Sequence, residues 1–283
     1  MSTVDIARVS QIIREVALAE VMSRWQKLDA GDVSYKSIDG KVGAGGPVTV
    51  ADLAAEAALE RQLTALLPGS RVIGEEGVTA DPSLLDLFRS TDPIWVLDPI
   101  DGTRAFAKGK PEFDMMVALV VGGVAIAGWI YHPVSGALYA GERGSGVMFE
   151  TADGAREKVG MSQPRDLAAM NGLIRLNWPK DDPRRALEAK TSMFASIAEP
   201  KSSGRNYARI LRGEVDFLMN FTPHSWDHLP GFFLLSELGH VYARADGTPY
   251  HPAEGRGAIL TAPSTALWAQ VRDTLFEGGN VPC

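Results

Sequence analysis

The sequence predicts a mixed α/β fold in two sub-domains, an α+β part over residues 1–155 and an α/β part over residues 156–283. Three observations carry that expectation. Hydrophobic residues make up 45% of the 283 and charged residues 22%, the balance of a chain that can bury a large core. In the first half, Val-rich runs are separated by Gly- and Pro-marked turns. In the second half, stretches with helical periodicity alternate with short apolar runs.

Ser2 or Thr3 is placed to cap a first helix in which Ile6, Val9, Ile12, Ile13 and Val16 recur at helical spacing. Residues 31–47 hold five glycines and a proline and read as a loop, with Lys36 and Lys41 available to close over a site. Residues 49–67 read as a second helix, ended by Pro68-Gly69. A short strand at 71–74 runs into Glu75-Glu76, a short helix follows at 83–89, and a buried strand at 94–97 ends in Asp98-Pro99. The apolar run 115–131 is broken by Gly122, Gly123 and Gly128 and reads as a hairpin, not a membrane span. The glycines of 141–146 read as a hairpin loop, not a nucleotide-binding turn. Farther on, helices are expected at 183–198, 206–212, 226–238 and 264–276, and strands at 173–176, 215–219 and 258–260.

The formal net charge is −7 and no dense Lys/Arg run exists, which argues against a general nucleic-acid binder and against docking on an anionic membrane. The one cysteine is Cys283, so no disulfide within the chain, no Cys-based zinc site and no thiol nucleophile is expected. Residues 1–26 are amphipathic and lack the continuous apolar core of a secretory signal. A cytoplasmic protein is the expectation. None of His132, His224, His228, His240 and His251 has the spacing of a metal pair, and only His228, beside Asp227, is placed to support a site. Trp25, Trp95, Trp129 and Trp178 read as packing residues.

The chemistry concentrates in Trp95-Val-Leu-Asp98-Pro99-Ile100-Asp101-Gly102-Thr103. Pro99 holds Asp98 extended and forces a turn, which can aim Asp98 and Asp101 at one spot. The turn can also leave the Ile100 carbonyl unpaired and facing the same place. Carboxylates and a carbonyl are hard oxygen ligands suited to Mg²⁺. Gly102 allows close approach to the backbone, and Thr103 opens a helix whose free N–H groups suit a phosphate. Alone, such a string is often a plain Asx turn and N-cap. Further acids at element ends shift the balance: Asp52, one of Glu75 and Glu76, and Asp227.

Gly74-Glu75-Glu76, then the Asp98-to-Thr103 string, then Trp226-Asp227-His-Leu-Pro-Gly231 occur in the order and approximate spacing of the inositol monophosphatase family. Thr49-Val-Ala-Asp52 looks like that family's first acidic motif. The chain thus resembles that family over most of its length. The resemblance implies a layered α/β/α/β/α sandwich and a Mg²⁺-dependent phosphatase with two or three ions. Carried over, Glu75, Asp98 and the Ile100 carbonyl would hold the first ion, and Asp98, Asp101 and Asp227 a second. Glu76 would lie outside the ligand set. Asp52 and Thr103 would orient and deprotonate the attacking water, Gly102 and Thr103 would meet the phosphate, and Glu75 would share in catalysis. Two Mg²⁺ would offset most of the charge of five carboxylates, so that a phosphate dianion could enter.

Ser203, Gly204, Arg205 and Asn220 are the expected substrate-side residues. Asn220 stands where inositol-specific members commonly carry a glutamate, and Arg205 is an extra cation that could meet a second phosphate or a carboxylate. Its plainer reading is an ion pair at the surface. Arg104-Ala105-Phe106 also departs from the Thr-Asn-Phe of inositol enzymes. The expected substrate is a small phosphorylated metabolite: inositol monophosphate or a related polyol phosphate first, then histidinol phosphate, a sugar bisphosphate or a 3′(2′),5′-bisphosphate nucleotide. Resemblance also implies a lithium-sensitive homodimer. An interaction protein using this fold as a binding surface, and a structural metal protein, are the rivals. The complete acidic set and the Asp52–Thr103 pair argue against them.

Overall fold

The computed structural model describes residues 4–38, 41–161, 163–176, 182–254 and 257–276. Ser2, Thr3, Trp178 and Cys283 lie outside the described residues. Asp5 caps the first helix, α1 (Ile6–Val16), its carboxylate accepting the Arg8 N–H at 2.9 Å. Residues 31–47 are not a plain loop: β1 (Val33–Ile38) pairs antiparallel with β2 (Lys41–Thr49), in register from Val33↔Thr49 to Tyr35↔Pro47. Glycine content hid this pairing, because a two-stranded ribbon tolerates residues that a central strand excludes.

Helix α2 (Val50–Leu66) follows β2 directly, with Thr49 as its cap. A seven-stranded sheet then forms in the order β3 (Arg71–Gly74), β4 (Ile94–Asp101), β5 (Asp114–Val121), β6 (Val124–His132), β7 (Ala137–Glu142), β8 (Met148–Glu150) and β9 (Arg156–Lys158). Only β3 and β4 pair in parallel. They are linked through the short helix α3 (Glu75–Ala80) and a 3₁₀ stretch at Pro82–Arg89. Helix α4 (Thr103–Ala107) lies between β4 and β5. The hairpin expected in the 115–131 run is β5 and β6, turning on Gly122 and Gly123, both at positive φ.

The second sheet has the order β11 (Ser196–Ala198), β10 (Asn171–Ile174), β12 (Phe217–Asn220), β14 (Ile259–Ala262) and β13 (Val241–Arg244). Its helices are α5 (Asp182–Lys190), α6 (Ser203–Leu211), α7 (Ser225–Ser236) and α8 (Thr265–Leu275). The single helix expected at 183–198 is shorter, because the chain leaves it after Lys190 to pair β11 with β10.

Period-2 alternation sends neighbouring side chains to opposite faces, and this sets the layers. Trp95, Leu97 and Trp129 pack on α1 and α2, with Val9, Ile13 and Leu59. Met116 and Ile130 face the other way, onto Tyr207 of α6 and Phe232 of α7, which also touch Leu173, Leu218 and Ile259 of the smaller sheet. Phe217 and Met219 point outward to Leu187 of α5 and to Trp268 and Val271 of α8. The result is the expected α/β/α/β/α sandwich. Trp95 and Trp129 are fully buried, their indole N–H groups donating to Ser70 and Ser10.

Candidate active site

The turn after Leu97 is a bulge at the end of a central strand. Asp98 still pairs with Met116, but the β4–β5 register shifts before Asp101 pairs with Asp114. Pro99 donates no hydrogen bond and sits where none is needed. Asp98 Oδ1 accepts the Ile100 N–H at 3.1 Å, so the Asx turn is present. Gly102 adopts φ +95°, and a Cβ there would come within 2.7 Å of the Glu112 carbonyl, so this position requires glycine. The Ile100 carbonyl is not unpaired, as the sequence suggested. It accepts the Thr103 hydroxyl at 2.9 Å and keeps one lone pair.

The Thr103 hydroxyl also lies 3.0 Å from Asp52 Oδ1. Asp52 Oδ2 accepts the Thr49 N–H at 2.8 Å and the Thr49 hydroxyl at 2.6 Å, a capping box that locks the carboxylate. Burial pushes Asp52 up to about 6.

Asp98, Asp101 and Asp227 bring ligand oxygens within 4.8 Å of one another. Asp227 is partly buried in the first turn of α7. Asp101 accepts N–H groups from Ser203 and Gly204 at the start of α6. Burial first, and then neighbouring carboxylates, hold Asp98 and Asp101 well above the usual range. Burial and Glu75 push Asp227 to about 7. Carboxylates forced this close repel one another, and a hard divalent cation is the partner that relieves them.

Glu75 stands outside that trio. Its Oε1 lies 2.6 Å from the Lys36 ammonium, which also reaches Glu76 at 2.8 Å. Burial opposes a charge on Lys36, yet Glu75 and Glu76 hold its ammonium above the usual range. Burial pushes Glu76 to about 7. Glu56 accepts the N–H groups of Glu76 and Gly77 at 2.9 and 2.7 Å and so fixes the turn that carries Glu75. It was missed in the sequence, although it lies four residues after Asp52 on α2 and therefore on the same face.

On the expected substrate side, Ser203 and Gly204 sit beside the acids, but Arg205 and Asn220 are engaged elsewhere. Arg205 Nη2 donates to the Pro111 carbonyl at 2.7 Å and its Nε lies 3.3 Å from buried Asp114. This is an ion pair, though with a buried partner rather than a surface one. Asn220 Oδ1 accepts the Phe221 N–H at 2.7 Å, and its Nδ2 lies 3.1 Å from His228 Nε2. His228 Nδ1 is 2.6 Å from the Tyr207 hydroxyl, and burial lowers its pKa to about 3. His228 therefore supports the base of α7 as a neutral ring. Among the described residues His132 has no metal-pair partner either. It ends β6 and contacts Asp114 through Nδ1.

The sequence pattern that defines the inositol monophosphatase family matches residues 3–274. The chain belongs to the inositol monophosphatase family. It is 28% identical over 223 residues to the inositol-1-monophosphatase of Mycobacterium leprae, covering 76% of this chain and 74% of the relative. It is 26% identical over 235 residues to a 3′(2′),5′-bisphosphate nucleotidase of Salmonella typhimurium, covering 81% and 86%. The solved IMPase of Thermotoga maritima shares the fold, with a TM-score of 0.75 over 95% of both chains at 22% identity. Within this inositol monophosphatase family the chain is a phosphatase, and among the described residues the acid trio forms a group that could hold a metal ion.

Proposed function

We propose that this phosphatase hydrolyses a small phosphate monoester with water, using two or three Mg²⁺ ions. The observation that carries the reading is the placement of the Asp52–Thr103 pair against the turn that bears Asp98 and Asp101. The donor set fits Mg²⁺: all its donors are oxygens, and three of its carboxylates crowd within 4.8 Å. Glu75, Asp98 and the free lone pair of the Ile100 carbonyl would hold one ion, and Asp98, Asp101 and Asp227 another. When bound, the ions supply the positive charge that admits a phosphate and make water more acidic.

The chain's own groups do the rest. Thr103 Oγ accepts a hydrogen from the attacking water as its own single hydrogen, which has the Ile100 carbonyl and Asp52 Oδ1 as alternative acceptors, turns to Asp52. Asp52, with its pKa near 6, takes up the proton. Water adds to phosphorus as the ester oxygen leaves and takes a proton from solvent, giving an alcohol and inorganic phosphate, and Asp52 then returns its proton to solvent. The backbone at Gly102 and Thr103 faces the phosphate, and Ser203 and Gly204 face the leaving group. Inositol monophosphate or a related polyol phosphate leads as substrate, and a 3′(2′),5′-bisphosphate nucleotide is the alternative. Both follow the names of the relatives. A cytoplasmic, lithium-sensitive homodimer belongs to the same proposal. Among the described residues no helix is long and apolar enough to cross a membrane.

The test is phosphate release from inositol 1-phosphate, histidinol phosphate, fructose 1,6-bisphosphate and 3′-phosphoadenosine 5′-phosphate, with Mg²⁺ and with EDTA. Strong Mg²⁺-dependent release from one compound is expected. Release that persists in EDTA would overturn the metal reading.

A further inference from the structure

Asp114 opens β5 directly across the ladder from Asp101, and its side chain is wholly buried. The reaction proposed above makes no use of it. Yet four groups close on that carboxylate. His132 Nδ1 contacts Oδ1. Arg205 Nε lies 3.3 Å from the same oxygen. The Ser202 hydroxyl donates to Oδ2 at 3.1 Å. Gly204 packs so tightly that a Cβ would come within 2.7 Å of Asp114 Cβ and 2.9 Å of Oδ2.

Three of those groups come from one turn, residues 202–205, and the same turn holds Asp101. Ser203 and Gly204 give Asp101 their backbone N–H groups. Ser202 and Arg205, on either side, give Asp114 their side chains. Two carboxylates facing each other across a strand ladder therefore grip one helix start, one by its main chain and the other by its side chains. A residue needed only to fill space at the head of β5 would be apolar, like Met115, Met116 and Val117 after it. A buried carboxylate is costly unless paired, and here three of the four groups that close on it come from the start of α6.

We infer that Asp114 is a positioning residue for the metal site. It fixes the 202–205 turn, which fixes the orientation of the Asp101 carboxylate toward Asp98 and Asp227. The inference rests on the cation reading of that trio. It assigns Arg205 and His132 to the support of the site, not to substrate.

Calorimetric titration of the full chain with Mn²⁺ tests this, run on wild type, Asp114→Asn, Asp114→Ala and Ser202→Ala, beside the Mg²⁺ dependence of phosphate release. Loss of a group that orients a metal ligand typically costs 10- to 100-fold in metal affinity. Asp114→Asn should weaken one Mn²⁺ step by about tenfold or more and leave another unchanged. Half-activation by Mg²⁺ should rise by the same factor, with kcat at saturating Mg²⁺ changed by less than about threefold. Ser202→Ala should shift the same step in the same direction by less, and it carries the test if Asp114→Ala does not fold. Unchanged Mn²⁺ affinities in Asp114→Asn and Ser202→Ala, with melting temperatures lowered, would overturn the inference and leave a packing role. A wild type that binds Mn²⁺ but releases no phosphate sinks the catalytic reading alone, since the Mn²⁺ comparison still decides on Asp114. A wild type that binds no Mn²⁺ sinks both.

Discussion

Thr103 Oγ lies 3.0 Å from Asp52 Oδ1, across 51 residues of chain. The hydroxyl is also within 2.9 Å of the Ile100 carbonyl, so Thr103 ties Asp52 to the turn that bears Asp98 and Asp101. Thr103→Val keeps the shape and removes that tie. Its kcat should fall by about 10²- to 10⁴-fold, the usual contribution of a proton-transfer group, while Mn²⁺ binding stays within a few-fold. Near-normal kcat in the valine variant would exclude Thr103 from the proton path.

Asp98→Asn should abolish turnover and leave the fold intact. Burial first, and then Glu75, Asp101 and Asp227 around it, raise the pKa of Asp98. Taking one charge out of that group relieves repulsion when no metal is present. The metal-free variant should therefore melt no lower than wild type in differential scanning calorimetry. A clear loss of melting temperature would show that Asp98 is needed for folding itself.

The acids also set a pH dependence. Burial raises Asp52 to about 6, Glu76 to about 7 and, with help from Glu75, Asp227 to about 7. In the unfolded chain such groups titrate near 4. Between about pH 4 and pH 7 the folded state thus binds more protons, and stability falls as pH rises through that window. In EDTA the melting temperature should drop by on the order of 5 °C from about pH 5 to about pH 8. Saturating Mg²⁺ should remove most of the drop. A flat profile in EDTA would mean that these carboxylates are not raised in the folded protein.

Glu56→Ala should leave the N–H groups of Glu76 and Gly77 without their acceptor. Each unsatisfied buried group costs about 1–3 kcal/mol. The turn carrying Glu75 should then loosen, and half-activation by Mg²⁺ should rise about tenfold. Glu56→Gln keeps an acceptor oxygen and should recover part of the loss. Equal Mg²⁺ dependence in both variants and wild type would confine Glu56 to stability.

What could be read in the sequence was local. The Asp98-to-Thr103 run is legible because Pro99, Gly102 and the spacing of two aspartates restrict the backbone within a few residues. The 115–131 hairpin is legible because Gly122-Gly123 interrupts an apolar run at a point where only a tight turn fits. The β1–β2 ribbon was hidden by its own glycines. The commitments of Arg205 to Asp114 and of Asn220 to His228 were hidden for a different reason. Each depends on a partner brought in by packing, 91 residues away for the first and 8 for the second, and no periodicity records it. Asp114 did leave one trace, a lone charge at the head of a run of apolar residues.

The acid trio joins the end of β4 to the first turn of α7, with Asp52, the start of α6 and the Glu75 turn around it. This has a consequence for the order of events in biosynthesis. A ribosome delivers the chain from one end, so the seven-stranded sheet can be complete while Asp227 is still being made. Until that residue emerges, the growing chain carries Asp98 and Asp101 but lacks the third acid of the trio. The capacity to act on phosphate esters therefore arrives late and all at once, and a prematurely terminated chain ending before α7 could pair every strand of its first sheet and still be inert.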